Sequence, residues 1–285
     1  MAYFALVLRL LAVSAMMARA SKRRSLTSNG IKAAAVTGFI HAIHPWSIFT
    51  ILLFTFFITG TAFTKVKVEI KRKLTTTSNG EEGGEGPRNE IQVLANSLPA
   101  TLLIVLHLFT RKLPCFHNDL LVIGIFAQYA AVTADTWSSE LGILSKTRPF
   151  LITTLRQCPP GTNGGVSVTG LKAAAGGGFI IGLMAALFTP FCQTWTMWAR
   201  TKLVLGITLA GFVGSVLDSV LGATLQESVA NEKGKIIEVD GGHKMRLQGK
   251  TISGRNVMSN NEVNLTMASV TTMLAIGFAK FFCDF

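Results

Sequence analysis

The chain has 285 residues, of which 49% are apolar and only 15% carry a charged side chain, and its mean hydropathy is +0.45. This composition excludes an ordinary soluble enzyme and also a disordered chain, because so much apolar surface must be buried. The formal net charge of +12 does not indicate nucleic-acid binding, since the Lys and Arg residues lie between apolar runs rather than in one patch. We therefore predict an all-α, polytopic integral membrane protein in a lipid bilayer.

Eight apolar runs follow one another along the chain and predict seven or eight transmembrane helices. They cover residues 3–20, 31–44, 46–64, 91–110, 119–144, 171–190, 201–226 and 264–282. The second run is short and stops at Pro45, so it is either a hairpin partner of the third run or a re-entrant half-helix. The first run ends in Ala18-Arg19-Ala20, which suits a signal-peptidase site. The basic residues directly after it favour an uncleaved anchor helix over residues 1–20, followed by a membrane domain over 21–285.

Basic residues divide the loops into two groups. If all eight runs cross, the loops at 21–32, 65–90, 145–172 and 227–263 carry twenty Lys and Arg residues, against four in the other loops. The positive-inside rule places these four loops in the cytosol and both chain termini opposite, and we expect an endomembrane such as the endoplasmic reticulum. Residues 75–90 are polar and glycine-rich, which predicts a disordered cytosolic loop, and residues 227–263 form a polar cytosolic loop.

A short repeat links two helix starts. Residues 30–40 (GIKAAAVTGFI) match residues 170–180 (GLKAAAGGGFI) at eight of eleven positions, and both segments start a helix from the basic side. This indicates a parallel internal duplication, although Ala and Gly composition alone explains part of the match. The four Cys residues form no CxxC pair, so we expect neither a zinc site nor a disulfide framework.

Three acidic residues lie near the basic-side ends of apolar runs, where ionisable groups are costly and mark functional sites. Asp135 and Glu140 belong to the fifth run and Asp218 to the seventh. Two carboxylates from different helices, beside hydroxyl groups, can bind Mg²⁺ through Asp135 and Asp218 and leave room for phosphate oxygens. The structural alternative is that these side chains hold small-residue helices together by hydrogen bonds.

A glycine-rich loop over residues 158–170 leads directly into the sixth run. Backbone N–H groups ahead of a helix bind anions, so the loop predicts a phosphate cradle. The residues expected to form it are Gly161, Thr162, Asn163, Gly164, Gly165 and Ser167. The loop is not a Walker A motif, because Leu171-Lys172 follow Gly170 where that motif requires Lys-Ser/Thr. A flexible connector explains the same composition.

Asparagine residues cluster where the last run begins. Asn260, Asn261 and Asn264 either cap this helix or bind a base, a ribose or a metal-bound water, and the cluster favours a site because capping needs one Asn. His41 and His44 lie three residues apart at the far end of the second run. We expect both to be interfacial or capping residues rather than ligands.

Five segments resemble the transmembrane protein nineteen family, also called domain of unknown function ninety-two. They are ADTWSSELG (134–142), LITT (151–154), PGTNGGVS (160–167), LDSVLGATLQ (217–226) and SNNEVNL (259–265), and the likeness covers about residues 20–283. The family is largely uncharacterised. One branch includes the plant phytyl-phosphate kinase, and the family is distantly similar to the CTP-dependent dolichol and phytol kinases.

The resemblance implies transfer of a nucleotide γ-phosphate to a membrane isoprenoid monophosphate, a reaction that depends mainly on positioning and charge stabilisation. It assigns Asp135, Asp218 and Glu140 to catalysis, with Mg²⁺ on the two Asp residues. The glycine-rich loop and the Asn cluster would bind the nucleotide, and Lys65, Lys146 or Arg148 would bind the isoprenoid phosphate. Two other classes stay open: a transporter or flippase, whose polar groups continue to the opposite face, and a non-enzymatic membrane protein.

Overall fold

The computed structural model describes residues 2–77, 81–83, 86–111, 113–238 and 249–282, and all structural statements concern these ranges. Nine helices lie in them: α1 Ala2–Lys22, α2 Ser28–Ile43, α3 Ile48–Thr64, α4 Val68–Leu74, α5 Glu90–Thr110, α6 Leu120–Gly142, α7 Val168–Phe188, α8 Met197–Leu225 and α9 Asn260–Phe282. Six short strands accompany them: β1 Thr75–Thr77, β2 Phe150–Leu151, β3 Gly165–Val166, β4 Ser228–Ala230, β5 Ile236–Glu238 and β6 Lys250–Ser253. The all-α membrane fold predicted from the sequence is confirmed.

One end of the helix bundle, here called the basic face, gathers the four basic loops. Leu26 forms a bridge with Arg88, which joins the first of these loops to the second. The backbone N–H of Asn163 donates a 2.9 Å hydrogen bond to the Ser228 hydroxyl, which joins the third loop to the fourth. Strand β1 in the second loop also pairs with β5 in the fourth, so all four loops share one side, as the charge pattern predicted.

The other end, here called the opposite face, is held together by a disulfide. Cys115 and Cys192 are bonded across 77 residues, and Phe116 and Phe191 form a bridge beside them. The expectation that the chain has no disulfide is therefore wrong. The spacing of the cysteines along the sequence does not reveal this bond. Its two cysteines lie in separate loops, before α6 and after α7, that only the folded bundle brings together.

Six helices in the described ranges, α1 and α5 to α9, are long and apolar enough to cross a membrane alone. A seventh candidate span results if α3 and α4 count as one segment with a 70° bend, and neither count includes the shorter α2. Helix α2 has 16 residues, or about 24 Å, less than a hydrocarbon core of about 30 Å. It is not a half-helix, however, because His44 directly after it contacts His107 near the far end of α5.

Helix α6 lies at the centre of the bundle. All thirteen of its residues from Val122 to Ala134 are buried, since α3, α5, α7, α8 and α9 surround it. Small residues allow the close contacts: a Cβ at Gly177 of α7 would lie 2.7 Å from the Ala134 Cα, and one at Gly211 of α8 would lie 2.9 Å from the Ala130 carbonyl oxygen. This packing places the next residue, Asp135, inside the bundle.

The two copies of the sequence repeat begin their helices in the same way. The Thr27 side chain accepts a 3.0 Å hydrogen bond from the Gly30 N–H at the start of α2. The Ser167 side chain accepts a 3.1 Å bond from the Gly170 N–H at the start of α7. Each hydroxyl satisfies one of the N–H groups that the first helical turn leaves unpaired. The likeness thus extends three residues beyond the matched segments.

A small sheet with strand order β1-β5-β4-β6 covers part of the basic face. Strand β1 is parallel to β5, and β4 is antiparallel to both β5 and β6. The prediction of disorder over residues 75–90 is wrong for Thr75 and Thr76, which are buried in β1. β-branched residues favour strands, and their partner strand lies some 160 residues away in sequence, where no local pattern reveals it. Residues 78–80, 84–85 and 239–248 of these two loops lie outside the described ranges.

Candidate functional site

The candidate site begins with two carboxylates from different helices. Asp135 on α6 and Asp218 on α8 lie close enough for their negative charges to repel each other, and the buried Ser215 hydroxyl faces the Asp135 carboxyl. The helices meet there because Gly214, one residue before Ser215, packs directly on Ala131. The pairing predicted from the sequence is therefore present.

One oxygen of this pair has no hydrogen-bond partner. The Asp218 Oδ2 atom is buried and unpaired within the described ranges. A buried carboxylate oxygen without a partner costs free energy, and a bound cation is one way to satisfy it. No cluster of three His, Cys, Asp or Glu side chains suited to a metal occurs in the described ranges. Two carboxylates with substrate phosphates are nevertheless a common Mg²⁺ environment, so Asp135 and Asp218 fit this ion.

Glu140, predicted to support the two Asp residues, is engaged elsewhere. Its carboxylate accepts a 2.7 Å hydrogen bond from the Thr64 hydroxyl and forms a 2.5 Å ion pair with Lys71. The Lys71 ammonium also donates to the carbonyl oxygens of Phe63 and Thr64. Glu140 therefore fastens α6 to α3 and α4, and these contacts give no support to a catalytic role.

The C-terminal end of α8 meets the asparagine cluster of α9. The Gln226 amide lies 3.4 Å from Asn260 Oδ1, while Thr271 on α9 lies beside Gly214 on α8. The two helices are thus antiparallel neighbours, and Asn264 falls between these contacts, near the level of Gly222. The predicted Asn residues therefore lie on the same side of the bundle as the Asp pair.

The asparagine residues are not the helix cap. The Ser259 hydroxyl accepts a bond from the Glu262 N–H, and the Glu262 carboxylate accepts a 2.6 Å bond from the Ser259 N–H. This reciprocal arrangement is a capping box, and it satisfies the start of α9 without any Asn. Asn261 is buried and Asn264 is half-buried on the first turns of the helix. The capping alternative for the cluster is therefore wrong.

The glycine-rich loop packs tightly against α8, just beyond Asp218. Gly164 has φ +76°, and a Cβ there would overlap the Ala223 side chain and the Ser219 carbonyl oxygen. Asn163 lies beside Gly222, and its side-chain amide reaches the Glu227 carbonyl oxygen at 3.5 Å. The structure thus brings this loop to the Asp218 end of α8, and the flexible-connector alternative does not describe it.

Most donors expected to hold phosphate have partners inside the protein. The N–H groups of Thr162, Asn163 and Gly165 donate to Pro159, Ser228 and Thr162 respectively. The Ser167 hydroxyl donates to the Gly142 carbonyl oxygen and caps α7. In this conformation the loop uses most of its donors for internal hydrogen bonds and packs beside the carboxylates. Phosphate binding by the loop stays a prediction.

Cys158 opens this loop and is buried within it. Burial raises the pKa of its thiol, and an interaction with Thr162 partly offsets that effect. Since thiolate is the reactive form, a raised pKa keeps the thiol protonated and inert at neutral pH. Cys158 is therefore a packing residue of the loop.

The predicted phosphate-binding cations lie at the periphery. Lys65, Lys146 and Arg148 are all exposed on the basic face. Arg88, which the sequence analysis did not select, is half-buried and lies close to Gly60 and Thr136 of the bundle interior. The sequence signal for Arg88 was weak, because it stands directly before a helix at the end of a polar loop, where a basic residue is ordinary.

A second polar cluster lies near the opposite face. His44 Nε2 lies 2.9 Å from His107 Nδ1, and His107 Nε2 lies 3.2 Å from Asp119 Oδ2. Burial acts to raise the pKa of Asp119, but His107 and the N–H groups of Leu121 and Val122 lower it below its usual value. His41 is also buried and contacts the Tyr129 hydroxyl at 2.6 Å. The predicted structural role fits both His41 and His44, although they are buried rather than interfacial.

Several known proteins and one family model are similar in sequence to this chain. The family model described as "Integral membrane protein DUF92" matches residues 11–272. "Protein PGR" of Arabidopsis thaliana is 35% identical over an alignment of 283 residues that covers 95% of this chain and 95% of its own. An uncharacterized membrane protein of Methanocaldococcus jannaschii is 33% identical over 205 residues, 72% of this chain and 76% of its own. "Protein VTE6, chloroplastic" of Arabidopsis thaliana is 26% identical over 202 residues, 71% of this chain and 57% of its own. No solved structure matches.

Proposed function

We propose that this chain, which belongs to the integral membrane family DUF92, transfers the terminal phosphate of a nucleoside triphosphate to an isoprenoid monophosphate in the bilayer. The observation that carries the proposal is the Asp135–Asp218 pair, two half-buried carboxylates whose charges repel each other, with a buried oxygen on Asp218 that has no partner in the described ranges. A protein that used these residues only for packing would gain stability by replacing one of them. The substrate class comes from the resemblance to a family that includes a plant phytyl-phosphate kinase.

The arrangement around the pair suits phosphoryl transfer. Mg²⁺, held by Asp135 and Asp218, would neutralise charge on the phosphate oxygens of a bound nucleotide. The loop at Asn163–Gly164 closes one side of the site against α8, and Asn260 with Gln226 closes another. These contacts hold polar groups in fixed positions, and such positioning is a main contribution that this reaction requires from a protein.

The disulfide supports an orientation for the site. Disulfides persist in oxidising compartments and are rare in the cytosol, and Cys115–Cys192 lies on the opposite face. The four basic loops lie on the other side, which the positive-inside rule assigns to the cytosol. Both observations support the proposal that the candidate site faces the cytosol, where nucleotide is present. The comparisons give no support to the endoplasmic reticulum in particular, and one relative is named as chloroplastic.

The proposal is tested by incubating purified protein in detergent with Mg²⁺, γ-labelled CTP, GTP or ATP, and a panel of isoprenoid monophosphates. Wild type should form labelled diphosphate, and Asp135→Asn and Asp218→Asn should each reduce transfer by at least a hundredfold. Glu69→Gln, which changes an exposed carboxylate on α4, is the matched control and should retain full activity. A folded wild-type protein that is inactive with every pair of substrates would refute the kinase function.

Transport is the second candidate function, and one observation favours it. Polar side chains continue from the basic face to the opposite face along α2, with Thr37, His41 and then His44 in contact with partners on α5 and α6. Buried ionisable chains of this kind occur in transporters. Proteoliposomes loaded with labelled isoprenoid monophosphate would distinguish the two functions, because a flippase exposes the lipid at the outer surface without nucleotide, whereas a kinase does not.

A further inference from the structure

A narrow, partly open crevice lies between α2, α3 and α5 near the basic face. Its apolar lining consists of Leu26, Ala34, Leu53, Phe56, Phe57 and Val93. Its polar lining residues come from α2 and from the start of α5, and Arg88 is the only charged residue among the lining residues. The cavity volume is about 40 Å³, so it cannot enclose a whole lipid chain. A lipid bound here would have part of its hydrocarbon chain in the crevice and its polar end beside Arg88.

The Arg88 side chain carries a charge without a counter-ion. Its guanidinium lies 3.4 Å from the neutral Thr64 hydroxyl, and it forms no salt bridge with any residue that the structure describes. The nearby carboxylate of Glu140 is already paired with Lys71. Charges that are partly removed from water are normally paired, because desolvation is otherwise uncompensated. Arg88 is therefore a cation placed to receive an anion from outside the chain.

The backbone holds Arg88 in place independently of its side chain. The Arg88 N–H donates to the Ser25 carbonyl oxygen at 3.1 Å, and the Arg88 carbonyl oxygen accepts from the Thr27 N–H at 2.9 Å. Asn89, the next residue, is the cap of α5. The side chain is thus free to serve a ligand, while the main chain fixes the geometry of the loop.

Arg88 also lies close to the candidate site. Gly60 on α3 separates it from α6: a Cβ there would lie 3.7 Å from Arg88 Nη1 and 3.4 Å from the Thr136 methyl group. Thr136 is the immediate neighbour of Asp135. An anion bound by Arg88 therefore lies at the same level of α6 as Asp135 but toward α3, whereas the Asp135 side chain faces Ser215 on α8.

We infer that Arg88 binds the phosphate of a lipid phosphate monoester whose hydrocarbon chain follows the apolar crevice. A guanidinium matches phosphate oxygens with two parallel hydrogen bonds, and the apolar lining favours a hydrocarbon over water. The Arg88 crevice is then the acceptor subsite of the proposed reaction, so this inference rests on the proposed function. It replaces Lys65, Lys146 and Arg148, which are exposed, as the residues that hold the acceptor phosphate.

Binding is measured without nucleotide or Mg²⁺, with radiolabelled farnesyl monophosphate and purified full-length protein in detergent. Arg88→Gln should weaken binding by roughly ten- to a hundredfold, since it removes a charge-assisted pair of hydrogen bonds but leaves the backbone bonds intact. Arg88→Lys should recover part of the affinity. Arg156→Gln, at an exposed arginine of the third basic loop, is the matched control and should bind like wild type.

A second variant and two further probes test the crevice itself. Ala34→Leu fills the crevice and should weaken binding of farnesyl monophosphate without lowering thermal stability. Farnesol, which has the chain but no charge, should bind equally to wild type and Arg88→Gln. Inorganic phosphate should compete only weakly; if it competes as well as the lipid does, the site takes free phosphate and the inference is overturned.

Two more results would overturn it. One is wild-type affinity in Arg88→Gln together with loss of binding in the triple variant of Lys65, Lys146 and Arg148 to Gln. The other is an equal loss of farnesol and farnesyl monophosphate in Arg88→Gln, which would show that charge is not responsible. If lipid binding depends on Arg88 but wild type transfers no phosphate, the kinase function fails and the binding site stands.

Discussion

Lys71 on the short helix α4 and Glu140 at the end of α6 form an ion pair, with 2.5 Å between Nζ and Oε2. The two side chains are only 11% and 14% exposed, so the pair is largely removed from water. It connects a helix that lies outside the bundle to the central helix. The pair therefore sets the position of the 65–90 loop relative to the Asp135 end of α6.

The first prediction concerns this ion pair. Lys71→Met should lower the free energy of unfolding by about 2 kcal/mol, because it leaves the Glu140 carboxylate without its partner in a poorly solvated position. The measurement is unfolding by SDS in mixed micelles, with Lys73→Met, at an exposed position of α4, as the matched control. If Glu140 is structural, Glu140→Gln should retain the Mg²⁺ dependence of any transfer activity. Loss of that dependence would support the catalytic role predicted for Glu140.

The second prediction concerns the two carboxylates. Without a bound cation they repel each other, so Asp218→Asn should raise the free energy of unfolding by about 1 kcal/mol in a metal-free buffer. Thermal unfolding with and without Mg²⁺ is the measurement. Mg²⁺ should stabilise wild type and not the variant, since binding to the folded state alone adds stability. A lower stability of the variant in both buffers would indicate that Asp218 is a packing residue.

The third prediction concerns the contact of the glycine-rich loop with α8. Gly164→Ala requires a side chain at φ +76° and a clash with Ala223 and Ser219, so it should cost about 2 kcal/mol or more. Gly206→Ala is the control, because Gly206 lies in α8 itself and a Cβ there meets no atom within 4 Å. It should be neutral or slightly stabilising. Differential scanning fluorimetry compares the two. Equal melting temperatures would mean that the loop does not dock on α8 as described.

The fourth prediction concerns the disulfide on the opposite face. In a Cys158→Ser, Cys283→Ser background, neither Cys115 nor Cys192 should react with a maleimide-polymer reagent in unfolded protein until a reductant is added. The double variant Cys115→Ser, Cys192→Ser should be less stable by about 2–4 kcal/mol, because the bond closes a long loop. Labelling before reduction would show that the two thiols are free, and would remove the support that the disulfide gives to the orientation.

Several features of the fold were accessible from the sequence because they depend on local composition. The length and apolarity of each run predicted the membrane helices, and the distribution of Lys and Arg predicted which loops share a face. The repeated helix starts were also visible, since a short segment determines its own cap. The pairing of Asp135 with Asp218 followed from their common membrane depth.

Other features depend on contacts between distant segments, and sequence patterns miss them. The partner of Glu140 is Lys71, and the partner of Cys115 is Cys192, each about 70 residues or more away. The same applies to β1, whose partner strand follows α8. Arg88 became a candidate only when the structure showed its side chain beside the crevice and without a carboxylate.

The sequence by itself determined that the protein is helical, lies in a membrane, belongs to its family and concentrates polar groups at the basic face, because hydrophobicity and charge act residue by residue along the chain. Only the tertiary structure decided how those polar groups are used. It assigned Glu140 to an ion pair, the glycine-rich loop to packing against α8 and Arg88 to a crevice, because hydrogen bonds and packing are made across helices that the sequence order keeps apart.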